Sequence, residues 1–415
     1  MAHLGIILYR VLATLLAWPF AAAFRKHPNF RGTMLQRLGM RLPEVPARRR
    51  TLWVHAASVG EVKAVAGLVR AVREHAPDLS ICMSCMTTTG RAVAARTTGV
   101  DTVFAVPFDT PRAMRRHLLR LMPVALIVAE TEIWPSMILE SRRLSIPVAI
   151  VNARMSERAH ERYLRFAGVF RQILATVKVL AMAGADADRF RSIGALDVQV
   201  LGNLKLDHVA TADPAMAAAL RDGLGIGDRP VFIAGSVREG EEEAVVDAII
   251  RIAGQIDGLY SIIAPRHPDR VAYIADMAKG LNISCGLRSQ GTTGGDLLIV
   301  DTMGELFTLY GISDAAFVGG SLLDMGGQNI LEPIAWGVPT LHGPFMGNFT
   351  WALEAVQGHT TVVKDSRELA RVVIGMLKDR DESRARGNAA RDALLACAGV
   401  TGRYLKAIEP YLQGQ

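Results

Sequence analysis

The chain has 415 residues, 50% of them apolar and 21% charged, a globular composition long enough for two or three domains. Its net charge of +7 is unevenly spread: the first 50 residues hold nine of the 47 basic side chains and one of the 40 acids, so they carry +8 and the remainder −1. A neutral body with one basic end argues against a nucleic-acid-binding protein, whose positive patches run through the fold, and four cysteines are too few for a disulfide framework.

The first predicted element is an apolar segment over 4–24, broken by Arg10 and Pro19. A bilayer span needs about 20 apolar residues, and an Arg near its middle costs roughly 3 kcal/mol on insertion scales. No Lys or Arg precedes the apolar run, whereas Arg25, Lys26, Arg31, Arg37, Arg41, Arg48, Arg49 and Arg50 follow it. That order favours a membrane anchor facing the cytoplasm, monotopic or a marginal span, over a cleaved signal or a buried core helix. Basic residues beside an anchor attract anionic lipid headgroups.

From Thr51 onward, short apolar runs alternate with helical patterns. Strands are predicted at Thr51–His55, 79–86, 102–106, 124–129, 147–151 and 177–182, with helices such as 61–75, Pro111–Leu121 and 136–144 between them. A second series has strands at 231–234, 260–264, 297–300 and Ala315–Val318, then near Thr340 and Thr361. Such alternation implies parallel βαβ units covered on both faces. Two halves joined near residue 205 predict two Rossmann-like domains facing a central cleft: an anchor and basic segment over 1–50, a first domain over 51–205 and a second over 206–415. Cys82-x-x-Cys85 falls inside a strand, where residues three apart face opposite ways, so it predicts neither a redox pair nor a zinc site.

Chemistry-bearing residues gather where strands end, the edge at which open α/β sheets bind ligands. His55-Ala56-Ala57-Ser58-Val59-Gly60-Glu61 closes the first strand and opens a helix. Ser58 and Glu61 read as a capping box, and Gly60 lets a substrate approach the backbone. A cap alone explains that spacing completely and is the favoured reading of these residues by themselves; a catalytic carboxylate is the alternative. Glu130-Thr131-Glu132-Ile133-Trp134-Pro135 places two carboxylates after another strand, suited to acid/base work, cation binding or sugar hydroxyls; alternatively Glu130 pairs with an arginine and Trp134 is only packing.

In the second half, Gly235-Ser236-Val237-Arg238-Glu239-Gly240-Glu241-Glu242 is a turn-prone helix start of the anion-binding kind. There is no G-x-G-x-x-G and no P-loop lysine, which weakens dinucleotide and ATPase readings. Pro265-Arg266-His267-Pro268 sets a rigid Arg at a strand tip for phosphate. Asp301-Thr302-Met303-Gly304-Glu305-Leu306 starts a helix. Gly319-Gly320-Ser321 through Gly326-Gly327 form a glycine-rich loop whose N–H groups can cradle phosphate. Asn329-Ile330-Leu331-Glu332-Pro333 opens the next helix, with Glu332 able to accept from two ribose hydroxyls or to serve only as a cap.

With these clusters, and with Val151-Asn152-Ala153-Arg154-Met155-Ser156 and Gly202-Asn203-Leu204-Lys205-Leu206-Asp207, the chain resembles the 3-deoxy-D-manno-oct-2-ulosonic acid (Kdo) transferases of lipopolysaccharide assembly over essentially its whole length. The resemblance implies an inverting GT-B glycosyltransferase at the cytoplasmic face of the inner membrane, transferring Kdo from CMP-Kdo to a tetraacyl lipid A precursor without a metal or other cofactor. It implies Glu61 as general base and Glu130 and Lys205 as transition-state stabilisers. Pro265, Arg266, Met303, Gly304, Glu305, Asn329, Ile330, Leu331 and Glu332 would hold CMP. The helix N-terminus is expected to keep Glu61 ionised at the cost of some basicity. Two departures stand out: Arg37-Leu38-Gly39-Met40-Arg41-Leu42-Pro43 lacks the Glu and final Gly common before the first strand, and Ala183-Gly184-Ala185-Asp186 replaces a more polar run. The competing readings are a sugar-nucleotide epimerase of the same shape and a non-catalytic lipid- or nucleotide-binding protein.

Overall fold

The computed structural model of the chain describes residues 2–45, 50–208, 212–291, 295–356 and 358–413. The chain divides into two compact units, one formed by Met1–His208 with Gly399–Gln415, the other by Val209–Ala398.

The first unit is built on a parallel sheet of β1 (Thr51–His55), β2 (Ser80–Cys85), β3 (Thr102–Ala105), β4 (Pro123–Ala129), β5 (Val148–Ala153), β6 (Val177–Ala181) and β7 (Asp197–Val200). Their order is β3-β2-β1-β4-β5-β6-β7, with every pairing parallel. The chain runs outward from β1 to β3 and then restarts on the other side at β4. The switch point, where loops part and leave a crevice at the strand ends, therefore lies between β1 and β4. All five residues of β1 are buried, as a strand covered on both faces requires. Trp53 sits at the core centre beside Phe104 and gives its indole N–H to Ser84 Oγ at 2.8 Å.

The second unit repeats the scheme with β8 (Val231–Val237), β9 (Tyr260–Pro265), β10 (Cys285–Leu287), β11 (Leu297–Ile299), β12 (Ala315–Val318), β13 (Thr340–His342) and β14 (Thr361–Val362). The order β10-β11-β9-β8-β12-β13-β14 puts its switch point between β8 and β12. Alternate residues serve two cores: Phe232, Ala234 and Phe317 pack with Val245, Ile249, Leu369 and Val373. Val231, Ile233 and Ala316 pack with Ala217, Leu309 and Tyr310.

Two strands, β7 and β10, are not predicted from the sequence. β7 (Asp-Val-Gln-Val) is a largely exposed edge without an apolar run, and β10 is three residues long with a central glycine. A second domain over 206–415 also needs correction at its end, because helix Val400–Leu412 belongs to the first unit. Its residues Val400, Tyr404, Ile408 and Leu412 form one buried face. Tyr404 donates to the Gly202 carbonyl at 2.9 Å, and Asp207 accepts from the Val400 and Thr401 N–H groups at 3.1 and 2.5 Å.

The segment 1–50 is likewise part of the first unit rather than a separate body. Arg37, counted in the basic cluster, is fully buried. Its guanidinium donates to the carbonyls of Met86, Val106 and Asn29 at 2.6, 3.2 and 3.2 Å, and burial lowers its pKa to about 10. The altered run Arg37–Pro43 thus begins with a structural strut. Arg48 and Arg49 lie outside the described residues. Cys82 and Cys85 are free, buried in β2, their thiols pushed up to about 11 and 12 by burial.

Candidate functional site

β1 ends at His55, which is wholly enclosed, with Nδ1 2.9 Å from Ser84 Oγ and the ring edge-on to Trp134. Burial lowers its pKa to about 4, so the imidazole is neutral at pH 7. Ser58 then caps helix Val59–His75: its Oγ accepts from the Glu61 N–H at 3.4 Å and donates to Glu61 Oε1 at 2.9 Å. The other carboxylate oxygen, Oε2, accepts from the Ala57 N–H at 2.7 Å, one residue before the position a capping box ordinarily reaches.

The electrostatics of Glu61 differ from the expectation of a cap-held, weakly basic carboxylate. Burial raises its pKa to about 7; the hydrogen bonds from Ala57 and Ser58 oppose the rise, and nearby Glu132 and Glu130 add to it. Desolvation and like charge outweigh the cap. Beside it Gly60 is exposed, and a Cβ placed there would meet nothing nearer than Ser58 Oγ at 3.8 Å.

β4 lies next to β1 and is followed directly by Glu130, whose φ of +56° is a left-handed conformation that turns the chain sharply. Its N–H bonds the Val151 carbonyl at 2.9 Å, and its side chain makes no ion pair among the described residues. Glu132 instead accepts from Trp134 Nε1 at 2.5 Å, which fixes the indole. Lys205 sits in the turn Leu204–His208, where the Leu204 N–H bonds Asn152 Oδ1 at 3.0 Å and the Lys205 N–H bonds Asn203 Oδ1 at 2.9 Å. That turn packs against helix Val59–His75, and the lysine side chain is exposed. Glu61, Glu130 and Lys205 therefore share the first unit, the two acids on the segments that follow the strands flanking its switch point, Glu61 in the first turn of its helix and Glu130 directly after β4.

In the second unit the switch point is closed by a residue that sequence spacing does not single out. Glu241 is buried, and its two oxygens accept from the backbone N–H groups of Arg238 (3.0 Å), Gly320 (2.6 Å), Ser321 (2.8 Å) and Leu322 (2.8 Å). Gly320, Ser321 and Leu322 are among the glycine-loop donors expected to cradle phosphate, so that expectation is corrected for these three: an internal carboxylate already occupies them. The start of helix Glu242–Ala253 is likewise filled by its own acids, Glu242 accepting from the Gly240 N–H at 2.7 Å and pairing with Arg270 at 2.7 Å.

Other candidates remain available. Pro265 ends β9, and the Arg266 N–H bonds the Val237 carbonyl at 2.8 Å, tying that loop to the end of β8. The Arg266 guanidinium is exposed and has no partner among the described residues. Met303 is 75% exposed, Gly304 turns with φ +92°, and Glu305 accepts from Arg288 Nε at 2.7 Å. Asn329 Nδ2 donates to Glu332 Oε1 at 3.0 Å and Asn329 Oδ1 accepts from the Leu331 N–H at 3.2 Å, just before helix Leu331–Ala335. Ile330 and Leu331 are buried beneath them, and burial raises the Glu332 pKa.

Comparison with known proteins gives this geometry a context. A family profile described as 3-deoxy-D-manno-octulosonic-acid transferase (kdotransferase) matches residues 33–208. A 3-deoxy-D-manno-octulosonic acid transferase of Haemophilus influenzae is 33% identical over 401 residues, covering 94% of this chain and 93% of that protein. Among solved structures, a glycosyltransferase of Rickettsia africae superposes with a TM-score of 0.63 at 12% identity, over 89% of this chain and all of that one. A UDP-GlcNAc 2-epimerase of Neisseria meningitidis does so at 0.58 and 12%, over 87% of this chain and all of that one. Likeness at that identity concerns fold alone.

Proposed function

The chain belongs to the 3-deoxy-D-manno-octulosonic-acid transferase family, and from that premise we propose that it moves Kdo from CMP-Kdo to a hydroxyl of the tetraacyl lipid A precursor, with inversion at the anomeric carbon. The broader statement needs no proposal: it is a glycosyltransferase of lipopolysaccharide synthesis, with two parallel Rossmann-like sheets in the GT-B manner. The observation that carries the finer reading is Glu61, a buried carboxyl with a pKa near 7 beside the open backbone of Gly60. A general base works best when its pKa matches the operating pH.

In the proposed reaction the acceptor hydroxyl gives its proton to Glu61 as its oxygen bonds the anomeric carbon of Kdo. The carbon–oxygen bond to phosphate breaks, and CMP leaves with the electron pair. Glu130 would stabilise positive charge on the sugar ring, and the free ammonium of Lys205 would offset negative charge on the departing phosphate. Arg266 is suited to the phosphate, with Pro265, Met303, Gly304, Glu305, Asn329, Ile330, Leu331 and Glu332 around the cytidine and ribose. No resident metal or cofactor enters this scheme. The acceptor is a lipid, which fits a chain placed at the cytoplasmic face of the inner membrane.

The test is sugar transfer from CMP-Kdo to the tetraacyl precursor by the wild type and Glu61→Gln, with products read by mass spectrometry. Near-full turnover in Glu61→Gln would remove Glu61 as base. Absence of CMP release with every lipid acceptor tried would remove the donor and acceptor assignment.

A further inference from the structure

Helix Ala2–Phe24 has two faces of different character. Leu4, Leu8, Val11, Leu15 and Trp18 follow one another at helical spacing and are 49–69% exposed. On the opposite side Ile6, Ala17 and Ala21 are buried, and Gly5 lies so close to Val169 that a Cβ would come within 2.8 Å of it. Two of its polar residues bond the rest of the first unit. Tyr9 donates to Asp109 Oδ2 at 2.8 Å, and Arg10 pairs with Glu140, whose side chain is 1% exposed.

Both contacts grip one helix, Pro135–Arg143. Asp109 caps it, accepting from the Ser136 and Met137 N–H groups at 2.9 and 2.8 Å, and Glu140 lies in its second turn. This helix directly follows Glu130 to Trp134 of the candidate site. Farther along, Phe20 packs edge-on against Phe108 and Phe30. The N-terminal helix is thus docked lengthwise on the first unit.

We infer that helix Ala2–Phe24 lies in the plane of an anionic membrane surface, with its Leu4–Leu8–Leu15–Trp18 face among the acyl chains, and does not cross the bilayer. The inference rests on the membrane reading above and goes beyond it by assigning the surface and its orientation. A helix of 23 residues is long enough to span, at about 34 Å. To do so it would have to leave Asp109 and Glu140, expose Ile6, Ala17 and Ala21, and carry Arg10 into the hydrocarbon. Lying flat keeps every one of those contacts and covers only the apolar face that the protein leaves open.

Charge and continuity point to lipid as the occupant. Arg25, Lys26 and Arg31 are exposed at the end of the helix. Helix Ala167–Leu174 packs against the N-terminal helix. Just before it Leu164 and Phe166 are 41% and 63% exposed, flanked by the exposed Arg158, Arg162 and Arg165, with Glu157 and Glu161 exposed in the same segment and Glu157 paired with Arg189. Apolar side chains next to a net-basic segment, with Arg25, Lys26 and Arg31 at the end of the N-terminal helix, suit an interface of acyl chains and anionic headgroups.

Two experiments on the full chain test this. In flotation with phosphatidylethanolamine–phosphatidylglycerol vesicles, Leu8→Asp/Leu15→Asp should bind at least tenfold less than wild type with an unchanged thermal midpoint. Binding equal to wild type would overturn the assigned face. Topology is read in a Cys285→Ser/Cys397→Ser background carrying either His3→Cys or Gln255→Cys, both at exposed positions. In sealed right-side-out and inside-out vesicles from expressing cells, a membrane-impermeant maleimide should modify both cysteines from the same side. Modification from opposite sides means a spanning helix and overturns the in-plane placement while leaving membrane association intact. A wild type that binds no vesicles overturns the membrane reading itself.

Discussion

The Glu241 carboxylate accepts from the backbone N–H of Ser321 at 2.8 Å, across 80 residues of sequence, and so joins the end of β8 to the end of β12. With the N–H groups of Arg238, Gly320 and Leu322 on the same side chain, it does for this loop what a bound anion does in a phosphate nest. Glu241→Gln keeps the volume but offers one acceptor oxygen in place of two. We expect a loss of about 2–3 kcal/mol in stability, because buried N–H groups lose their acceptor. The donor KM should rise more than kcat falls. Equilibrium denaturation and steady-state kinetics check this; wild-type stability would show that the four bonds contribute nothing net.

Glu61→Gln should separate stability from activity. Removing a general base lowers turnover by roughly 100- to 10,000-fold. For stability the sign follows from the raised pKa of about 7 against 4.5 for an ordinary glutamic acid. The folded state holds the proton more tightly, so its contribution is complete below about 4.5 and is lost as pH rises through about 7. The neutral glutamine escapes that loss, so the variant should melt higher than wild type at pH 8 and no higher at pH 4. A lower melting point at both values would contradict the burial of a proton-binding carboxyl.

The same pKa sets the pH profile. If Glu61 must be ionised to take a proton, kcat/KM should rise about tenfold per pH unit below 7 and flatten above it. Glu61→Gln should lack that limb. A profile already flat between pH 5 and 8 in the wild type would assign the base to another group.

Gly60→Ala is the steric companion. The added methyl has open space, with its nearest neighbour at 3.8 Å, and Ala suits a helix better than Gly. Stability should be unchanged or slightly higher, while transfer falls through a raised acceptor KM if substrate approaches there. Unchanged kinetics would move the acceptor away from this turn.

Asp207→Ala tests how the last helix is held. Burial works to raise the Asp207 pKa, but hydrogen bonds from Thr401, Val400 and Gly399 outweigh it, and the net shift is downward. Its stabilisation is therefore present above the ordinary aspartate range and is lost as pH falls below it. Loss of this cap should cost about 1–2 kcal/mol at pH 7 and raise hydrogen exchange in Val400–Leu412 first. Exchange unchanged in that helix would show that the cap does not hold it.

The parts of the site legible in the sequence are those whose partners lie within one turn. Ser58 and Glu61 meet because a helix brings third neighbours together, and Asn329 and Glu332 do so for the same reason. Glu241 was hidden among four acids in a five-residue stretch, and nothing local distinguishes it from Glu239, which pairs with Arg270 at the exposed surface. Arg10 stands out in the sequence as an interruption, but its partner Glu140 is 130 residues away. Helix Val400–Leu412 shows its apolar face at a spacing of four, yet spacing does not say which sheet that face covers.

Periodicity, punctuation and motif order thus determined by themselves the parallel α/β layout, the strand-end positions of Glu61, Glu130 and Arg266, and the family. These follow from contacts made within a few residues, which chain geometry dictates. The tertiary structure decided that Glu61 is poised near neutrality, that the amides of Gly320, Ser321 and Leu322 are already taken by Glu241, and that Arg10 faces protein. Each depends on desolvation or on a partner far along the chain. Burial and long-range charge are properties of the packed fold, and no local pattern encodes them.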